Sequence, residues 1–281
     1  MADEPMTLQQ AADALGVHYM TVYRYVRTGR LPATRRGGTW QVAPSDLTQV
    51  SRTPPGDPRP TSSKRPAAPS RLEMRLLAGD EAGAWSLLES DLASSRTPSD
   101  LLLDVVGPAL RTIGTRWERG DLTVADEHLA TAVASRLVSR IGARFLRRGP
   151  KRGVVILAAP PGELHATPVA MAADLLRWRG FDVVELGADT PADALGQIGA
   201  NTSDLLAVGM ACTTPAACAP AKRAIAVLRR SQPDVPVLIG GRAIADAGHA
   251  GRLGADAFTG HRGDQLVEVV ESVWAGVSVT R

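Results

Sequence analysis

Val154-Val155-Ile156-Leu157-Ala158-Ala159, running into Pro160-Pro161-Gly162-Glu163-Leu164-His165, is the stretch on which the fold turns. An unbroken apolar run closed by prolines and a glycine reads as a strand buried on both faces, the kind found in parallel sheets. Similar runs recur downstream as Asp182–Leu186, Leu205–Met210, Val237–Ile239 and Ala257–Phe258. Helical patterns such as Val169–Arg179 and Pro220–Arg230 lie between them. The alternation implies a doubly wound parallel sheet over residues 151–281, with ligands gathering at the carboxyl ends of its strands. His165 falls at such an end. Glu163 is placed to hydrogen-bond its ring, which would fix the tautomer and leave one imidazole nitrogen for a metal. No nucleophile–base pair, phosphate loop or metal-water set accompanies it in the sequence. A ligand role is therefore expected, and the chain is read as a non-enzyme.

Upstream, residues 71–150 read as all-helical. Apolar residues recur at helical spacing in Leu72, Leu76 and Leu77, in Trp85, Leu88 and Leu92, in Leu101, Val105, Leu110 and Ile113, and in Leu129, Val133, Leu137 and Ile141. Thr123-Val124-Ala125-Asp126 has capping-box form ahead of the last group. Four such segments suggest a four-helix bundle. Residues 51–70 hold six prolines in twenty residues and no large apolar side chain. Such a stretch cannot bury enough surface to order itself and is expected to be a flexible tether. It isolates an N-terminal unit, residues 1–50. The whole is a multidomain chain of α and α/β parts.

The 281 residues carry 44% hydrophobic side chains, 4% aromatics and a net charge of +3. The isoelectric point of about 9.2 is compatible with a nucleic-acid partner. Two cysteines, Cys212 and Cys218, are too few for a disulfide framework or a four-cysteine metal site. Cys212 is read as a small buried hydrophobe, with a soft-ligand or redox role as the alternative. No apolar stretch approaches the roughly 20 residues that span a bilayer, and no secretory pattern opens the chain. A cytoplasmic protein with no membrane partner is expected.

In the N-terminal unit, Thr7–Leu15 is a short amphipathic helix with a threonine cap, and His18–Val26 is a second. Arg35-Arg36-Gly37-Gly38-Thr39-Trp40 follows as a basic hairpin with a tight turn. Thr21-Val22-Tyr23-Arg24-Tyr25-Val26-Arg27-Thr28-Gly29-Arg30-Leu31-Pro32 and the hairpin after it resemble the winged helix-turn-helix modules of the MerR and excisionase type. The resemblance implies a double-stranded DNA operator, with the second helix in the major groove. Tyr19 and Thr21 would then meet base edges, and Arg24, Arg35 and Arg36 would meet phosphates. A small docking domain with a solvated basic hairpin is the plainer alternative.

The C-terminal part resembles Rossmann-like cobalamin-binding domains. Their signature is acidic–x–histidine, then a serine-bearing tripeptide, then Gly-Gly. Here Glu163-Leu164-His165 is followed, after residues 169–210, by Ala211-Cys212-Thr213, and after residues 214–239 by Gly240-Gly241. The resemblance implies that His165 is the lower ligand to cobalt and that the nucleotide tail enters a cleft beside Gly240 and Gly241. In the helical segment, Trp117, nine residues (118–126) and Glu127-His128 resemble the cap of CarH- and LitR-type cobalamin photoreceptors. There the tryptophan shields the adenosyl face and the Glu-His pair helps hold the ligand. Adjacent helical positions diverge by about 100°, so Glu127 and His128 can share a pocket only at a helix start.

The order of segments is also that of these regulators. It implies an adenosylcobalamin-controlled, light-responsive repressor that assembles as a dimer or tetramer. Three residues depart from the pattern. Pro168 replaces the glycine that closes the first motif. Ala211 replaces the serine, with Thr213 or Thr214 as the available substitute. Glu118 stands where the photoreceptors carry a histidine. One other reading keeps the same architecture, a regulator with a decayed cobalamin site; another, of a different class, is a corrinoid methyl carrier, which would share the bundle and the histidine motif but have no use for a winged helix.

Overall fold

The computed structural model describes residues 5–15, 19–27, 31–36, 39–51, 67–94, 96–145, 149 and 151–276. Contacts divide the chain into two compact units, Met1–Arg65 and Pro66–Arg281. The tether expected over residues 51–70 lies outside the described residues at 52–66. Its edges are helical instead: Ser51 closes one helix, and Ala68, Pro69 and Ser70 open the next, where proline is tolerated in the first turn.

The first unit comprises β1 (Met6–Thr7), α1 (Leu8–Leu15), α2 (Tyr19–Arg27), β2 (Thr34–Arg36), β3 (Thr39–Val42) and α3 (Pro44–Ser51). The strands form an antiparallel sheet in the order β1-β3-β2. Thr7 caps α1: its hydroxyl accepts from the Gln10 amide (3.3 Å), and the Gln10 side chain accepts from the Thr7 amide (2.8 Å). Leu8, Ala11, Ala12, Val22, Leu31, Val42 and Leu47 form its core. The expected Gly37-Gly38 turn and the start of the second helix at His18 lie outside the described residues.

The second unit opens with α4 (Ala68–Leu77) and α5 (Glu81–Ala93). A third helix runs from α6 (Pro98–Asp100) through a π-helical segment, Leu101–Val106, into α7 (Gly107–Glu118). The fourth, α8, spans Val124–Gly142. The wide π turn ends just before Gly107-Pro108, where the proline has no N–H for the helical ladder. Reciprocal capping boxes start two of these helices, at Thr97 with Asp100 and at Thr123 with Asp126. Leu72, Leu76, Leu88, Leu101, Leu102, Ile113, Leu137 and Ile141 are fully enclosed. Leu137→Ala, which opens a cavity there, is expected to cost about 2–5 kcal/mol, measurable by denaturant unfolding.

The sheet follows as β4 (Val154–Ala158), α9 (Thr167–Trp178), β5 (Asp182–Gly187), α10 (Ala192–Ala200) and β6 (Leu205–Ala211). It is completed by α11 (Cys218–Ser231), β7 (Val237–Gly240), α12 (Ala247–Leu253), β8 (Ala257–Phe258) and α13 (Gly263–Trp274). All five strands are parallel, in the order β5-β4-β6-β7-β8. The chain changes direction of winding between β4 and β6, which opens a crevice at their carboxyl ends. Ile156, Val208 and Ile239 face a core with α10, α11 and α12. On the opposite face Val155, Leu157 and α9 share one continuous core with the helical bundle. Approach is close: a Cβ on Gly142 would stand 2.5 Å from the Asp174 carboxylate.

Candidate functional site

The loop after β4 is held before any ligand is considered. The Gly162 amide donates to the Asp189 carboxylate (2.7 Å), and the Asp189 amide donates to the Glu163 carbonyl (2.9 Å). The Glu163 side chain is only 1% exposed, yet its carboxylate is well partnered. Its Oε1 meets His165 Nδ1 at 2.5 Å and accepts from the His165 amide at 3.2 Å. Its Oε2 accepts from the amides of Thr213 (2.8 Å) and Thr214 (2.9 Å) and from the Thr214 hydroxyl (3.3 Å). One carboxylate therefore fastens the β4 loop to the β6 loop.

Burial pushes the Glu163 carboxyl up, but the hydrogen bonds from His165 and from the Thr214, Thr213 and His165 amides outweigh it and hold the group at about 2. The hydrogen bond to Glu163 raises His165 above the ordinary histidine range, against partial burial. An ionised Glu163 makes Nδ1 the protonated nitrogen and aims Nε2 outward. The His165 side chain is 43% exposed, and among the described residues no hydrogen bond reaches Nε2. That is the donor arrangement a metal-binding imidazole needs.

Beside the imidazole loop, a cavity of about 110 Å³ enters the crevice between α9 and α13. Pro168, Ala211, Gly240, Gly241, Thr259 and His261 line part of it. Its size is of the order that admits one aromatic ring. The Gly-Gly pair is required by close packing against a side chain at Gly240 and against backbone at Gly241. A Cβ on Gly240 would meet Thr259 Oγ1 at 2.1 Å, and one on Gly241, whose φ is +104°, would meet the Cys212 carbonyl at 2.4 Å. Pro168 sits in the first turn of α9, where no N–H is missed, so the missing glycine leaves the helix start intact. Ala211 ends β6 without a hydroxyl. Thr214 has committed its hydroxyl to Glu163, whereas the Thr213 hydroxyl makes no hydrogen bond among the described residues. Burial pushes the Cys212 thiol up to about 12, which leaves it a protonated, enclosed side chain.

The ends of α7 and α8 converge on the imidazole. Glu118 feels the charge of His165, and Glu127 raises His165 in turn. Trp117 is 41% exposed, so it is not a core residue of the bundle. Glu127 accepts from the Thr131 hydroxyl (2.7 Å) and pairs with His128 Nδ1 (3.0 Å), and the His128 ring is 74% exposed. The 100° divergence thus turns Glu127 toward the site and leaves His128 in solvent. Glu118 makes a two-pronged ion pair with Arg242, just beyond Gly241. The sequence marked Glu118 as a departure but gave no signal for Arg242 beyond its place after the glycines.

In the first unit Tyr19 is exposed and stacked on Tyr23, with centroids 6.5 Å apart. Arg35 is exposed on β2. The backbones of Thr21 and Arg24 belong to α2 and that of Arg36 to β2, while their side chains lie outside the described residues.

Family comparisons agree with this layout. A model described as a B12 binding domain matches residues 70–141, and a second of the same description matches residues 153–270. A helix-turn-helix domain model matches residues 5–50. Among curated proteins, the HTH-type transcriptional repressor CarH of Myxococcus xanthus is 39% identical over 137 residues, 47% of this chain and 44% of CarH. The chain resembles the CarH-type regulators. The chain thus spans less than half the length of that relative. The dimethylamine corrinoid protein of Methanosarcina barkeri is 25% identical over 183 residues, 62% of this chain and 83% of that protein. The solved monomethylamine corrinoid protein of the same organism shares the fold, with a TM-score of 0.62 at 16% identity over 71% of this chain and 95% of its own.

Proposed function

We propose that the chain is a transcriptional repressor that binds operator DNA through its first unit under the control of adenosylcobalamin. The carrying observation is the Glu163-anchored imidazole with its outward Nε2, beside an apolar cavity at the carboxyl end of a parallel sheet. These residues fit the group. His165 would supply the lower nitrogen ligand, and Glu163 would keep its tautomer and strengthen its donor power. The Thr213 hydroxyl and the backbone at Gly240 and Gly241 would receive the tail, with Trp117 and Glu127 above and His128 at the rim. Bound adenosylcobalamin supplies a cobalt centre and a cobalt–carbon bond that light can break.

Control requires that the cofactor favour one assembly over another by differential affinity. We assign that difference to a change between a monomer and a dimer or tetramer of this chain. Tyr19 and Thr21 are assigned to base edges, and Arg24, Arg35 and Arg36 to phosphates. Among the described residues no helix is long and apolar enough to cross a membrane. A DNA partner assigns the chain to the cytoplasm.

Titrating the full chain in the dark with adenosylcobalamin should shift the visible absorption and change both its mass in light scattering and its affinity for operator DNA. Illumination should reverse both. No spectral change at saturating cofactor would remove the proposal in favour of a decayed site. Arg35→Ala should weaken DNA binding and lower the slope of log K against log salt by about one; an unchanged slope would move the interface elsewhere. A corrinoid methyl carrier is supported by the 83% coverage of the dimethylamine corrinoid protein. The helix-turn-helix match at residues 5–50 has no use in such a carrier and favours the regulator.

A further inference from the structure

We propose that the Glu118–Arg242 ion pair is a latch across the rim of the cobalamin cleft, which a corrinoid must displace to reach His165. The inference rests on the cobalamin reading above. The pair joins residues 124 positions apart, from the last turn of α7 to the loop after β7. Two guanidinium nitrogens meet two carboxylate oxygens, one contact being 3.0 Å from Nη1 to Oε2. That fork-on-carboxylate geometry fixes direction as well as distance.

The arginine side is rigidly mounted. The Gly240 carbonyl accepts from the Cys212 amide (2.9 Å), the Cys212 carbonyl from the Ala243 amide (3.1 Å) and the Gly260 carbonyl from the Gly241 amide (3.2 Å). The carboxylate side is the last residue of α7, followed by an exposed turn at Arg119 and Gly120. Both partners lie within electrostatic reach of the imidazole: His165 helps hold Glu118 ionised, and Arg242 opposes protonation of His165. Gly241, the neighbour of Arg242, lines the cavity, so the pair runs from the end of α7 to the lip of that cavity.

The side chains of the pair are 47% and 44% exposed. A half-solvated pair is weak and salt-screened, closing the rim without sealing it. It taxes the apparent affinity of a ligand that needs the rim open, by the fraction of time it is closed. A neutral histidine at position 118 would offer Arg242 one acceptor nitrogen in place of a charged, two-pronged carboxylate.

The test uses the full chain as wild type, E118Q, R242Q and the charge-exchanged double variant E118R/R242E. In ligand-free protein, amide exchange over residues 116–122 and 241–246 should quicken roughly two- to fivefold in each single variant, the range expected of a half-exposed pair. The double variant should return to the wild-type rate. Adenosylcobalamin, titrated in the dark, should bind the single variants more tightly by the same factor, and added salt should narrow the gap. Unaltered exchange in both single variants overturns the latch. Faster exchange with unchanged or weaker binding overturns its competition with the cofactor while leaving the cobalamin reading intact. Absence of binding by every variant, wild type included, overturns the cobalamin reading and with it displacement by a corrinoid.

Discussion

In His165→Ala protein, adenosylcobalamin is expected to bind at least about tenfold more weakly, and the spectrum of whatever binds should differ from that of wild type. The magnitude follows from what is removed. Losing even a partner that only orients a metal-binding histidine typically costs 10–100-fold in affinity, so loss of the imidazole itself should cost no less. The ligand-free protein should meanwhile unfold at nearly the same denaturant concentration, because the ring is 43% exposed and fills no core. Absorption titration and chemical unfolding on the same preparation separate the two effects. An unchanged bound spectrum would show that another group ligates cobalt, and the solvent-exposed His128 would be examined next.

Glu163→Ala should be the more damaging substitution for the apoprotein. The carboxylate is enclosed and serves two backbone amides of the β6 loop, a hydroxyl, and both the ring and the amide of His165. Alanine would strand those donors in a site with little water. Each buried polar group left without its partner costs about 1–3 kcal/mol. A loss of about 2–4 kcal/mol is therefore expected in urea unfolding. Cobalamin affinity should fall with it, since the imidazole would lose its tautomer and its aim. A variant as stable as wild type would mean that solvent replaces the carboxylate, and the account of the β4–β6 tie would fail.

Much of the scaffold was legible because its causes are local. The run Val155-Ile156-Leu157-Ala158 is buried whatever precedes it, and the expected strands match the observed ones to within a residue at their ends. The Thr123–Asp126 capping box needed only the residues that make it. Glu163 beside His165 was visible for the same reason, being two positions away. What stayed hidden depends on residues far apart in sequence. Nothing near Thr213 and Thr214 announces that their amides belong to Glu163, about fifty positions earlier. The choice between those two threonines is made only by the hydroxyl that Glu163 engages. The π segment was illegible because Leu101-Leu102-Leu103-Asp104-Val105-Val106 has a single polar residue among five apolar ones, too little to fix a phase. Pro168, which departs from the motif, opens a helix at a position that tolerates proline.

Because the helical layer and one face of the sheet are cemented by a single apolar interior, that layer cannot swing away as a hinged lid without exposing it to water. On the proposed reading, a signal arising at the cofactor would be carried by small adjustments at the periphery, in the final turn of one helix and the loops that face it. Sensors built this way sacrifice large amplitude for a response that leaves the body of the fold undisturbed.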